Sequence, residues 1–131
     1  MKTVVELPFN QLMNLQSASD GASLQLPASA QFLNHLGTVH TGALLSLAET
    51  SSGEFLLHAL GGVAGVVPVV RRLEAKFRKP ANGAVSSTAS VAEGALEELR
   101  TGLAGKGRAL ISVNVELHDE STARVLSASV E

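Results

Sequence analysis

The chain contains no cysteine, no tryptophan and no tyrosine, and only four phenylalanines among its 131 residues. Without cysteine there is no disulfide framework, no thiolate nucleophile and no Cys-based zinc site. The scarcity of aromatics removes the stacking platforms that bind bases, and a formal net charge of −2 gives no global attraction to nucleic acid. The longest apolar segment is interrupted by Glu49, Glu54 and His58, which argues against a membrane span. No basic-then-apolar signal segment opens the sequence, and a cytoplasmic location is the expectation. The length suits one domain, residues 1–131, within the common range of about 100–150 residues.

Charge is distributed unevenly. No Lys or Arg occurs between Lys2 and Arg71, whereas eight of the ten basic residues lie between Arg71 and Arg108, five of them in RRLEAKFRK. Two readings of that strip stand side by side: a solvated strand face, or a surface that meets the phosphates of a nucleotide-bearing ligand.

Periodicity divides the chain in two. His40 to Leu60 reads as one long, mostly apolar helix, with Thr38 a candidate cap and Gly61-Gly62 as its stop. Before it, VVELPFNQLMNL is a short strand or helix, ASLQLPAS has a strand pattern limited by Pro27, and Ser29 to Val39 is a loop. After it the period becomes two. In LEAKFRK, Leu73, Ala75 and Phe77 oppose Glu74, Lys76 and Arg78; AVSSTASVAE, RALISVNVELHD and STARVLSASV alternate likewise. GALEELRTGLAGKG reads as a connection with a helical turn. A helix apolar nearly all round requires a sheet curved around it, or a sheet plus a partner subunit. The expected class is α+β, with a long central helix wrapped by a curved antiparallel sheet whose edges invite pairing across a dimer.

Glu49 falls near the middle of that helix. An unpaired carboxylate in apolar surroundings is costly and becomes more basic. Eight or nine residues earlier, GTVHTG (Gly37 to Gly42) forms the helix start and offers free backbone amides. A carboxylate together with an amide-rich helix N-terminus points to acyl-transfer or hydrolytic chemistry. Duller roles exist for each residue: Glu49 bonded to a strand backbone, His40 a satisfied polar group, Asn34 a backbone cap. His35, His58 and His118 read as structural or solvated. No His/Asp/Glu spacing suggests a metal site, and neither a Gly-x-Ser-x-Gly elbow nor a Walker loop occurs.

Three segments, NHLGTVHTGALLSLAE, LEAKFRKPANG and GKGRALISVNVELHD, together resemble the hotdog-fold acyl-CoA thioesterases. The likeness is to the branch with 4-hydroxybenzoyl-CoA and phenylacetate-pathway thioesterases, and it spans roughly Ala22 to Val130. It implies the hotdog fold and an enzyme that hydrolyses an acyl thioester to free acid and CoA, CoA entering as part of the substrate and with no other cofactor. By position it implies Glu49 as nucleophile or general base, the Thr41 amide as oxyanion donor, and Asn34 and His40 as holders of the thioester or water. Gly42, Arg78, Lys79 and Arg108 would contact substrate, the basic ones along the CoA nucleotide. Two positions depart from the pattern. Thr41 replaces the usual Gly, and Gly53 replaces a hydroxyl residue that positions water in some relatives.

Thr41 and Glu49 are separated by about 12 Å of helix at 1.5 Å per residue, too far to share one carbonyl. Antiparallel helices meeting across a homodimer, or within a dimer of dimers, would bring Thr41 of one chain to Glu49 of the other. The site would then be shared and a monomer inactive. With so few aromatics, the acyl group expected is aliphatic rather than aryl. The alternatives are a non-catalytic hotdog module that binds acyl thioesters or fatty acids, and a structural dimerisation domain. A hydratase finds little support, since no Asp-and-His pairing of that kind is evident.

Overall fold

The computed structural model describes residues 3–18, 23–61 and 65–131. The N-terminal segment is helical: a 3-10 turn at Val4–Glu6 leads into a short helix α1 (Pro8–Leu12) with Pro8 in its first turn, where a missing N–H costs nothing. Asn10 ties this segment down. Its buried amide donates to the Val4 carbonyl at 2.8 Å and accepts from Thr50 Oγ1 at 3.2 Å.

The central helix α2 (Thr41–Ala59) lies within the expected limits, but its cap is His40 and not Thr38. Thr38 is instead held by Asn34 across a tight loop. At the far end Leu60 is the C-cap and Gly61 adopts φ +61°, its N–H donating to the His58 carbonyl; Gly62, the second glycine of the expected stop, lies outside the described residues. One face of α2, including Ala43, Leu44, Leu47, Ala48 and Ser51, is buried. The helix packs across strands β2 (Leu24–Leu26), β4 (Val85–Ser90), β5 (Val113–His118) and β6 (Arg124–Val130).

The six-stranded sheet is antiparallel throughout, in the order β1-β2-β4-β5-β6-β3, with β1 (Gln16–Ser17) and β3 (Leu73–Phe77) at its edges. Alternation puts Val85, Val113, Val115, Leu117, Leu126 and Val130 into the core. Ser87 also points inward. Its hydroxyl accepts from the Leu24 N–H and donates to the Leu24 carbonyl, which satisfies the backbone where the β2–β4 ladder ends. A bulge near Leu117/His118 lets Val125 and Leu126 both turn inward.

Three sequence expectations change. GALEELRTGLAGKG holds a full helix, α3 (Ala95–Lys106), because Leu96, Leu99 and Leu103 recur at helical spacing and Gly94 and Gly107 bound it in left-handed conformations. β5 begins at Val113, so residues 108–112 lead into the strand without joining its ladder. Phe77, though on the inward side of the alternation, is exposed at the end of edge strand β3.

Two turns are locked together by a buried carboxylate. Asp119 accepts from Ser121 Oγ at 2.7 Å and from the N–H groups of Ser121, Ala123 and Asn82. These bonds, that from the Ser121 hydroxyl first, hold its carboxyl below the ordinary value despite desolvation.

Candidate active site

The helix start is built from a loop closed on itself. Asn34 Oδ1 accepts from the N–H groups of Leu36 and Thr38, its Nδ2 donates to Thr38 Oγ1, and Gly37 supplies φ +77° for the turn. The Asn34 side chain is therefore engaged in backbone capping. His40 N donates to the Phe32 carbonyl at 2.8 Å, which fixes the entry of the chain into α2. Its Nδ1 then accepts from the Gly42 N–H at 2.9 Å, which makes the ring the side-chain cap of the helix. The His40 carbonyl accepts from Ala43 and Leu44.

One donor remains. The Gly42 N–H is taken by the His40 ring and the Ala43 N–H by the His40 carbonyl, whereas the N–H of Thr41, exposed at the helix mouth, donates to no group among the described residues. Thr41 thus carries the free amide of the helix start, and Gly42 serves the cap.

Glu49 sits elsewhere. It is exposed, because its position on α2 turns away from the buried stripe of Leu47, Ala48 and Ser51. The buried, poorly solvated carboxylate expected from the apolar helix is not what one chain presents. No Lys or Arg pairs with it among the described residues, and its contact is with Thr50 Oγ1 at 3.4 Å. The Ser52 hydroxyl donates to the Glu49 carbonyl at 2.6 Å and is spent on the backbone. Thr50 is therefore the neighbour whose hydroxyl reaches the carboxylate. Among the described residues nothing lies within 4 Å of where a Gly53 side chain would begin, leaving open space one turn beyond Glu49.

Glu49 lies at the lining of a cleft of about 430 Å³, within the range of roughly 300–1,000 Å³ typical of ligand sites. Its walls are the C-terminal half of α2, residues 66–70, α3 and residues 109–113, with Val4, Leu7 and Asn10 from the N-terminal segment and Val130 and Glu131 from the chain's end. Asn34, His40, Thr41 and Gly42 do not line it. In one chain the predicted residues thus form two groups, one at the start of α2 and one, Glu49, midway along it.

The basic residues stand apart as well. Arg78 Nε donates to Ser127 Oγ at 2.7 Å, Ser127 donates to Glu116 at 2.6 Å, and Glu116 pairs with Arg124 at 3.7 Å. Arg78 is thereby held on the side of the sheet opposite α2, since Ser127 pairs with Lys76 and Glu116 on the solvent-facing register. Lys79 and Arg108 are exposed. Glu54, half-buried on α2, has its carboxyl raised by burial, with His58 one turn on acting in the opposite direction. Among the described residues no cluster of three or more His, Asp or Glu could hold a metal ion, and no helix is long and apolar enough to cross a membrane.

The sequence reading missed the far wall of the cleft. Leu99, Leu103, Leu110 and the Val66–Val70 strip line it. The signal was present: ALEELRTGLAGK carries an apolar i, i+3, i+4 stripe, acidic residues in its first turn and a Lys in its last.

A long central helix laid on an antiparallel sheet of this order, with a free amide at the helix start and a carboxylate midway along it, is the hotdog fold of the thioesterase superfamily. More narrowly, the chain belongs to the family described as a domain of unknown function, DUF4442, whose model matches residues 11–131. Among solved structures it is similar to a Pseudomonas aeruginosa protein described as of unknown function and a probable thioesterase. That pair shares 26% identity over 97% of this chain and 87% of that one, with a TM-score of 0.78. It is also similar to the Escherichia coli PaaI protein from the phenylacetic acid degradation operon (17% identity, 95% and 82% covered, TM-score 0.71). A Bacillus halodurans protein solved with CoA matches at 17% identity, 93% and 72% covered, with a TM-score of 0.67. No curated protein matches the chain.

Proposed function

We propose that the protein is an acyl-CoA thioesterase, acting as a homodimer or dimer of dimers with each active site assembled from two chains. The observation that carries this reading is a pair of groups on α2, the Thr41 N–H without an acceptor and the Glu49 carboxylate without a cation partner among the described residues. The Thr41 amide, at the positive end of the helix dipole, stabilises the oxyanion that develops on the thioester carbonyl. Glu49, with Thr50 beside it, attacks the carbonyl or takes a proton from the attacking water. At about 12 Å of helical rise the two groups cannot serve one carbonyl from a single chain, so the donor comes from one subunit and the carboxylate from the other. A partner helix over Glu49 would also remove it from water. His40 and Asn34 act by holding the helix mouth in shape. Exposed Lys79 and Arg108 are the basic groups available to the CoA phosphates, whereas Arg78 is engaged with Ser127. The probable-thioesterase description of the 26% identical Pseudomonas protein and the CoA in the Bacillus structure support the substrate class.

The open space at Gly53 and the spent Ser52 hydroxyl favour a second reading, a module that binds acyl thioesters without turnover. Free-thiol release from a panel of acyl-CoA thioesters decides between them. Glu49→Gln is expected to lower kcat by about 10²–10⁴-fold, the usual contribution of a general base. Absence of turnover on every thioester by folded, dimeric protein would leave the binding module.

A further inference from the structure

Apart from Glu49 and Gly53, the cleft beside α2 has a consistent chemistry. Its polar side chains are already engaged: Thr50 with Asn10, Asn10 with the Val4 carbonyl, Ser52 with the Glu49 carbonyl, and Glu131 with Arg71. From there the cleft follows α2 past Leu56 and Leu57 to Leu60, where α3 faces it with Leu99 and Leu103. Arg100 of α3 donates to the Ala59 carbonyl at 3.0 Å, which pins α3 to the C-terminal end of α2. Gly102 lets α3 close on the chain leaving it, since a Cβ there would stand 2.8 Å from that of Ala109. The far end is thus walled by a helix that is held in place and presents leucines to the cleft; the other charged residue of the lining, Glu131, is paired with Arg71 at 3.1 Å.

We propose that this cleft is the acyl-chain chamber and that Leu99 and Leu103 of α3 set its length limit. The occupant is a straight aliphatic chain of medium length. Glu49 to Leu60 spans about 16 Å of helix, and zigzag carbon–carbon bonds near 1.5 Å advance about 1.25 Å each, which matches roughly a dozen carbons. The volume agrees: a methylene is close in size to a water molecule, whose share of liquid is about 30 Å³, so about 430 Å³ holds on the order of a dozen. An unbranched chain fills such a groove while its thioester end stays at Glu49, and the leucines that α2 and α3 present could not satisfy a polar substituent. The chemical end of this assignment rests on the thioesterase reading; the apolar end rests on the cleft alone.

The test uses Leu103→Trp, which plugs the far end. Wild-type kcat/KM is measured across straight-chain CoA thioesters from acetyl to hexadecanoyl and on benzoyl-CoA, beside calorimetric titration of the wild type with decanoate and butyrate. The expected result is a medium-chain optimum in the wild type. Leu103→Trp should lose at least tenfold on decanoyl- and dodecanoyl-CoA and less than twofold on butanoyl-CoA. Leu103→Ala, which lengthens the chamber, should move the optimum to longer chains, and it keeps the proposal testable if the larger residue prevents folding. Turnover with a uniform loss, or with no change, at every chain length in both folded variants would overturn the chamber and leave the thioesterase standing. Decanoate binding in preference to butyrate, without turnover of any thioester, would support the chamber and overturn the enzyme. Neither binding nor turnover would overturn both.

Discussion

Thr41 offers a way to delete one backbone amide and leave the fold alone. It is the first residue of α2, and its N–H donates to nothing among the described residues. His40 before it has φ −61° and ψ 139°, the extended conformation that a following proline requires. Proline is favoured at the first helical position, where its fixed φ suits the helix and the missing N–H is not needed. Thr41→Pro therefore breaks no hydrogen bond and restricts the unfolded chain, a stabilisation of about 0.4–1 kcal/mol. On a domain of this size that raises Tm by a few degrees, about 1–4 °C. If the Thr41 N–H is the oxyanion donor, the same substitution removes about 2.7–4 kcal/mol of transition-state stabilisation, or roughly 10²–10³ in kcat. KM should change little, because the lost contact forms in the transition state. Thr41→Ala, which keeps the amide and trims the side chain, is the control and should stay within a few-fold of wild type. Thiol-release kinetics and a thermal melt on each variant are sufficient. A Thr41→Pro protein that melts normally and keeps more than a tenth of its kcat would refute the assignment of the donor. A melt lowered by more than about 5 °C would refute the reading of the helix start itself.

Asp119 should make stability depend on acid. Its folded pKa lies below the unfolded value of about 3.9, so its contribution is complete above roughly pH 5 and is lost as pH falls through 4 toward the depressed value. Asp119→Asn presents an amide to the Asn82, Ser121 and Ala123 donors and should cost about 2–3 kcal/mol at neutral pH. Urea unfolding from pH 3 to 7 checks this: the variant should lose the acid-dependent part of the slope, and an unchanged slope would place that dependence elsewhere. The glycines should separate by environment. Gly53→Ala, in open space within α2, should gain about 0.5–1 kcal/mol. Gly83→Ala, at φ +76° with its new methyl driven into the Glu120 carboxylate, should lose at least about 1–2 kcal/mol. Thermal melts in the reverse order would contradict both assignments.

What was legible in the sequence follows the range of the interaction involved. The limits of α2 and the alternation of β4, β5 and β6 were readable because they rest on local periodicity, one face against one core. Position 38 misled as a cap because both Thr38 and His40 can serve chemically. What decides is that the Phe32 carbonyl holds His40 N and Asn34 claims Thr38, and that pairing exists only once the loop has closed. Helix α3 was under-read because its leucine stripe is interrupted by Gly102 and Gly105, which lower helix propensity; the compensation, close packing of Gly102 on Ala109, is a tertiary contact.

Glu49 is the most instructive residue. Its neighbours in sequence describe an apolar helix, so burial was the natural inference, yet the single chain leaves it exposed. Hydrophobicity all round a helix means that every face is covered in the functional state, and it does not say by what. The sheet covers the face that carries Leu47 and Ser51, and α1 covers Thr50 through Asn10. The face that carries Glu49 meets neither. If a second α2 covers it, the apolar pattern and the carboxylate are no longer in conflict. The leucines that made the helix look too apolar for one chain are then the surroundings that shield Glu49 from water, supplied by the same encounter that delivers a Thr41 amide to it.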